Sequence, residues 1–380
     1  MQHMSIKAES TFSLKDELFN PGTLGLLSAS VAAVYPRFRR KSFERQVLDR
    51  FGELELKARI DWMAHCLNEH LPASIPEARE ILLAALPEPL DPDLRDDDFG
   101  QFIWVVPGEC IALSHCNDKH FAAGLDFLRE STKRFSAEYA IRPFLLQFPE
   151  PALAFVREAA LDDNYHVRRL ASEGIRPFLP WARRVNLPPE QIITVLDMLH
   201  ADPTRYVTRS VANTLNDISK IDPNMVMQTL QNWQDQARQD ADELDWMTRH
   251  SLRTLLKSGN SDALTLTGYP ANPEFSVDGV QVSKRVVLGE SLEWRAVLHS
   301  KKRQKLKIAL RVHFLKANGT YGVKVFAMKD VHVEAQDEIE LVKKLPFKPL
   351  TTRVLYAGEH RVELSVNGCI SELHSFELVA

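Results

Sequence analysis

The feature that most narrows what this chain can fold into is a recurrence at 40 residues. Asp162, Val167, Arg169, Glu173 and Arg176 are matched, each 40 positions on, by Asp202, Val207, Arg209, Asn213 and Asn216, and another step of 40 reaches Arg249 and Arg253. That period belongs to helical hairpins stacked as solenoids of the HEAT and armadillo type, where each unit buries its apolar face only against its neighbours. The expected architecture is therefore a multidomain, mainly α protein built on a right-handed α-solenoid of HEAT-like hairpins.

The fullest copy of the pattern runs from Asp162 to Trp181, DDNYHVRRLASEGIRPFLPW. Arg169, Glu173 and Arg176 stand at i, i+4 and i+7 on one side of a helix, and Val167, Leu170 and Ala171 mark the other. If the second helix of each hairpin lines the concave side, Arg169, Arg209 and Arg249 form successive rungs, with Glu173, Asn213 and Arg253 one turn further on. An acid occurs at only one of these rungs. The same spacing also describes a solvated face on which Glu173 simply pairs with its arginines.

Apolar positions recur at three and four from Leu14 to Leu71 and again from Phe121, punctuated by Pro36, Pro72, Pro76 and Pro87. The segment PEPLDPDLRDDDFG reads as a solvated connection. The fragment IRPFL occurs at Ile141–Leu145 and Ile175–Leu179, and in each copy the proline is expected to end a helix whose last turn carries Arg142 or Arg176. Near Ser258 the pattern turns alternating and β-branched, and Asn318-Gly319 signals a tight hairpin. This predicts an all-β Ig-like sandwich over residues 263–380, after a helical domain over 1–262.

At 380 residues and 44% hydrophobic, the chain has material for more than one core. No apolar run approaches the length of a bilayer span, and Met1 to Met4 read as an alternative start, so a soluble, cytoplasmic protein is expected. Cys66, Cys110, Cys116 and Cys369 form no CxxC pair, and His115 and His120 near two of them fit ordinary packing; no metal is assigned. Phosphate-cradling glycine motifs are absent from the sequence, so no nucleotide cofactor, and no cofactor of any kind, is expected. The net charge of −4 is unevenly spread: residues 281–380 hold 17 Lys/Arg against 11 Asp/Glu. An acidic total thus leaves room for a locally basic face that attracts phosphate.

LKDELFN at Leu14, TKRFSAEYAIRPFL at Thr132, HVRRLASEGIRPFLPW at His166, YVTRSVANTLNDISK at Tyr206 and RHSLRTLLKSG at Arg249 occur in order along nearly the whole chain. Together they resemble the bacterial AlkC-type alkylpurine DNA glycosylases, a HEAT-like-repeat family related to the AlkD type, in the branch with a C-terminal Ig-like domain. The resemblance implies excision of cationic bases such as 3-methyladenine and 3-methylcytosine from double-stranded DNA, by a monomer associated with the nucleoid when bound. Carried over by position, Glu138, Glu173 and Trp181 are the implied active-site residues, with Arg169 beside them. Two departures stand out: Ala159 where the family often has tryptophan, and Phe178 where it often has a second arginine.

These residue types suit that chemistry. A base alkylated at N3 leaves readily, so charge develops on the deoxyribose, and a carboxylate can stabilise it while a carboxylate also orients the attacking water. Glu138 and Glu173 are the candidates, in either order. Trp181 is expected to stack on the cationic nucleotide, or else to plug a hairpin end. Arg142, Arg169, Arg176, Arg209, Asn213, Asn216, Arg249 and Arg253 are the expected DNA contacts. A non-catalytic module binding damaged or structured nucleic acid would use the same residues, and a protein scaffold would have no use for the two acids.

Overall fold

The computed structural model describes residues 13–94, 99–348 and 354–379. The Met1–Met4 start and Arg95–Asp98 of the acidic connection lie outside that range. Among the described residues, helices fill the first part: α1 (Leu14–Leu18), α2 (Pro21–Val34), α3 (Arg40–Leu48), α4 (Leu56–His70), α5 (Ile75–Ala85), α6 (Val105–His115) and α7 (Phe121–Thr132). They continue with α8 (Ile141–Gln147), α9 (Pro149–Ala159), α10 (Tyr165–Glu173), α11 (Pro189–Leu199), α12 (Arg205–Ile218), α13 (Pro223–Gln236), α14 (Ala241–Ser251), α15 (Arg253–Ser258) and α16 (Ser261–Leu266).

Local chemistry sets several of these boundaries. Asn20 caps α2, its side chain accepting from the Gly22 and Thr23 amides while Thr23 Oγ1 accepts from Asn20 N at 3.0 Å, and Pro21 fills the first position, where no N–H is needed. Buried Arg59 of α4 ties the opening helices together: it donates to the carbonyls of Phe19, Phe51 and Lys15 and reaches Asp16 at 2.6 Å.

Chain contacts divide the protein into two compact units. The first comprises Met1–Ile218 with Ala237–Asp240, and the second Ser219–Gln236 with Ala241–Ala380. In the first, the 40-residue period is literal: α9 and α11 begin at Pro149 and Pro189, α10 and α12 at Tyr165 and Arg205, and α10 packs on α12. The next pair begins early, at Pro223 and Ala241, so Arg249 is the ninth residue of α14 whereas Arg169 and Arg209 are each the fifth of their helices. Arg249 is not the equivalent rung, which corrects the third step of the period.

The two IRPFL copies also differ from expectation. Ile141 opens α8, and Pro143 sits in its first turn, where a missing N–H costs nothing; the second copy follows the end of α10 and is not helical. Neither proline ends a helix with its arginine in the last turn.

In the second unit the strands are β1 (Phe275–Val282), β2 (Arg285–Val287), β3 (Ser291–Ser300), β4 (Gln304–Leu315), β5 (Tyr321–Val333), β6 (Glu338–Pro346), β7 (Gly358–Val366), β8 (Cys369–Ile370) and β9 (His374–Val379). One sheet has the order β1-β3-β6 and the other β2-β9-β7-β4-β5, with β8 on β7. Strict alternation along β4 and β3 supplies the inner faces, and Trp294, Leu298, Leu310, Phe347 and Leu364 close the core between them. The Asn318-Gly319 signal is in the right place but serves a longer loop: the ladder ends at the Leu315–Tyr321 pair, and Gly319 supplies the positive φ.

Candidate active site

Helix α10 is set by its cap and its apolar seam. The Asn164 side chain accepts from His166 N at 2.9 Å, and Val167, Leu170 and Ala171 are fully buried. Their rotation aims Arg169 and Glu173 at α12 and at the turn ahead of α8 that carries Ser136 and Glu138. Arg168 leaves on another side and fastens α10 to the following hairpin through two bonds to Asp202, at 2.5 and 3.2 Å.

The polar face of α10 is therefore packed, not solvated. Arg169 Nη1 donates to Glu138 Oε2 at 2.9 Å, and its Nη2 lies 3.6 Å from Glu173 Oε2. Arg176 Nη1 donates to Glu173 Oε1 at 2.5 Å and its Nε to Asp217 Oδ2 at 3.1 Å. The result is one alternating chain of charges, Glu138, Arg169, Glu173, Arg176 and Asp217. Ser210 Oγ of α12 donates to Glu173 Oε2 at 2.6 Å, Ser172 Oγ lies 2.5 Å from Ser210, and the Tyr206 ring lies 4.6 Å from the Arg169 guanidinium.

The two glutamates differ in what they leave available. Glu173 has partners on both oxygens and its side chain is only 5% exposed. Glu138 takes both its bonds, from Arg169 and Ser136, on Oε2, so Oε1 has no hydrogen-bond partner among the described residues, and the side chain is 15% exposed. Their acidities diverge accordingly. Burial raises the Glu138 carboxyl above its usual value, and the Glu173 charge adds to this against the pull of Arg169. Burial would raise Glu173 as well, but Arg169, Arg176 and the Ser210 bond outweigh it and hold Glu173 below the usual carboxylate value.

Trp181 stands apart from this chain. It is 61% exposed, with φ of 60°, in the loop that follows α10, so it is no hydrophobic plug. Beside it a cavity of about 530 Å³ is lined by Lys57, Glu109, Tyr139, Arg142 and Arg183. Lys57 Nζ bridges Glu109 at 2.9 Å and Asp61 at 2.5 Å along its floor.

Several expected DNA contacts are occupied otherwise. Arg142 is 1% exposed and spends its planar fork on backbone: Nη1 donates to Gly174 O at 2.9 Å, Nη2 to Arg176 O at 3.1 Å and Nε to Arg183 O. Arg176 and Asn216 are buried too, Arg176 between its two carboxylates. These three are corrected from DNA contacts to parts of the interior, because a buried side chain presents no face to phosphate and the two guanidiniums are already paired. Arg169 is a mostly buried bridge between acids. Arg209 and Asn213 are half-buried on α12. In the second unit Arg249 pairs with Asp245 at 2.8 Å, and with Arg253, Lys307, Lys324 and Lys329 it lines a cleft of about 940 Å³.

Asp217, Ser210, Ser136 and Tyr206 were not singled out by the sequence. The 40-residue register pointed at Asn216, one residue short of Asp217, the actual partner of Arg176. Of the departures, Ala159 is fully buried in α9, and the Phe178 ring lies 5.0 Å from the Arg184 guanidinium. Among the described residues, no cluster of His, Cys, Asp or Glu could hold a metal, and no helix is long and apolar enough to cross a membrane.

Comparison with known proteins places these features. Residues 276–380 match the family described as the C-terminal Ig-like domain of the uncharacterised protein YhaZ. Uncharacterized protein YhaZ of Bacillus subtilis (strain 168) is 32% identical over 374 residues, spanning 95% of this chain and 98% of that protein. A solved structure, the Pseudomonas fluorescens alkylpurine DNA glycosylase AlkC bound to DNA containing an abasic site analog, matches with a TM-score of 0.85 at 33% identity, covering 97% of this chain and 100% of the other. A helical solenoid of that type followed by an Ig-like sandwich, at these identities and over nearly the full length of both relatives, means that the chain belongs to the AlkC family.

Proposed function

We propose that the protein is a monofunctional DNA glycosylase that hydrolyses the N-glycosidic bond of cationic N-alkylated bases, such as 3-methyladenine and 3-methylcytosine, in double-stranded DNA. The observation that carries this reading is the open Oε1 of Glu138, an accessible carboxyl oxygen beside a buried, ionised partner. Likeness to a glycosylase whose structure holds DNA with an abasic-site analogue supports the same reaction class.

In this reading the C1′–N bond breaks with its electron pair passing to the alkylated base, which leaves neutral. The positive charge left on the deoxyribose is stabilised by the Glu138 carboxylate, and that group takes a proton from the water that adds to C1′. Glu173 stays ionised and keeps Arg169 aligned, which makes it a positioning residue. Trp181 offers its exposed face to the cationic nucleotide. The basic cleft of the second unit supplies further phosphate contacts, which fix the duplex without reading its sequence.

The test is release of free base from methylated duplex DNA by the wild-type protein, resolved chromatographically. Release of 3-methyladenine or 3-methylcytosine supports the proposal. Binding to the duplex with no release above the spontaneous rate sinks it.

A further inference from the structure

The charge chain at the site carries three carboxyl groups, Glu138, Glu173 and Asp217, against two guanidiniums, Arg169 and Arg176, and most of its positive charge is buried. A phosphate backbone brought against it would meet little free cation. With Arg142 and Arg176 in the interior, the positive charge that grips the strand has to come from elsewhere.

The loop between α10 and α11 supplies it. Two and three residues after Trp181, Arg183 and Arg184 are both exposed, and among the described residues neither guanidinium lies within ion-pair distance of a carboxylate. Arg183 lines the cavity beside Trp181, where the nearby Glu109 carboxylate is already paired with Lys57 at 2.9 Å. Arg184 lies on the Phe178 ring, 5.0 Å from its centre, which steadies the guanidinium plane.

The loop is also fastened in this shape. Buried Arg142 bonds the carbonyls of Gly174 and Arg176 at its start and of Arg183 at its end. Asp217 Oδ2 accepts from Phe178 N at 3.3 Å in the middle. Exposed cations on a loop held from within lose little freedom on binding, so each of them contributes more to affinity.

We propose that Arg183 and Arg184 are phosphate contacts that hold the DNA strand beside Trp181, with Arg142 as the internal staple that presents them. This rests on the glycosylase reading for its substrate, and it adds two residues to the binding surface. Such groups act in ground state and transition state alike, so removing them raises KM more than it lowers kcat.

The experiment measures binding of a duplex carrying an abasic-site analogue, by fluorescence anisotropy across a salt series. For Arg183→Ala/Arg184→Ala the slope of log K against log salt is expected to fall by about 1.8, roughly 0.9 for each phosphate no longer neutralised. Arg183→Lys/Arg184→Lys is expected to keep the wild-type slope. Arg37→Ala/Arg39→Ala, which removes the same charge from an exposed stretch far along the chain, is expected to leave it unchanged. An unaltered slope in the alanine pair, or an equal fall in the Arg37/Arg39 control, overturns the proposal. Base release by the wild type, scored separately, tests the enzymatic reading, so the two can fail independently.

Discussion

Arg169 and Glu138 meet through one carboxylate oxygen: both donors that reach Glu138, Arg169 Nη1 at 2.9 Å and Ser136 Oγ at 3.0 Å, converge on Oε2. The other oxygen, Oε1, has no hydrogen-bond partner among the described residues. Glu173, across the same arginine, has no such opening. Two glutamates that look alike in sequence are thereby separated into one with an oxygen left open and one enclosed by donors on both oxygens.

That separation predicts opposite stability effects for the same substitution. The folded-state pKa of Glu138 is raised, so ionising it costs stability as pH rises through that value, and Glu138→Gln is expected to melt at or above wild type at neutral pH. The folded-state pKa of Glu173 is depressed, so its contribution is present above the unfolded value and lost as pH falls through the folded one. Glu173→Gln should therefore lower Tm at neutral pH and converge with wild type in acid. Base release should drop about 100-fold or more in Glu138→Gln. Thermal melts across pH, with single-turnover base release, check this; equal losses of Tm in both variants would refute the division.

The two carboxyls should also sense each other in the pH profile. With the Glu138 carboxylate as the working form, release falls as pH drops through its raised pKa. Glu173→Gln removes a negative neighbour and leaves Arg169 to Glu138 alone, and both changes lower that pKa. The acid limb of the residual activity is expected to move to lower pH, after subtraction of spontaneous base loss. A limb that stays in place contradicts the coupling.

Arg142 is expected to be a stability residue whose loss reaches Trp181. Arg142→Ala leaves the carbonyls of Gly174, Arg176 and Arg183 without their donor, at about 1–3 kcal/mol for each group that water does not reach. Arg142→Lys restores charge but not the planar fork, and should recover only part of the loss. Urea unfolding gives the stability, and Trp181 fluorescence anisotropy in a variant retaining that tryptophan as the reporter gives the loop's mobility. A full rescue by lysine would show that charge, not the fork, fixes the loop.

Trp181 should be dispensable for folding and needed for work. Its φ of 60° suits glycine, and the side chain is 61% exposed, so Trp181→Gly is expected to be neutral or stabilising while base release declines. A marked fall in Tm would mean that the indole serves packing after all.

Much of the fold was legible in the sequence because its signals are local and repeated. The 40-residue period follows from hairpins that bury their seams on each other, and it held for the α9–α10 and α11–α12 pairs, where Pro149 and Pro189 open equivalent helices. Alternation along β3 and β4 announced the sandwich in the same way. The period failed at α13 and α14, since a repeat that starts a few residues early keeps its apolar seam while moving every polar position out of register.

The sequence by itself determined that Arg169 and Glu173 share a helix face, since that is a matter of 3.6 residues per turn, whereas Glu138 and Trp181 were singled out through the family resemblance that their motifs carry. Only the tertiary structure decided what those side chains meet. Whether an arginine faces phosphate or a ring of carbonyls depends on which neighbouring helix closes over it: Arg142 and Arg176 went inside, and Arg183 and Arg184, two or three residues past Trp181, stayed out. The packing of α12 against α10 also brought Asp217 and Ser210 to the charge chain, residues about 40 positions away whose roles no local pattern encodes. Burial then divided the two glutamates, because the cost of an ionised carboxyl depends on how many donors surround it.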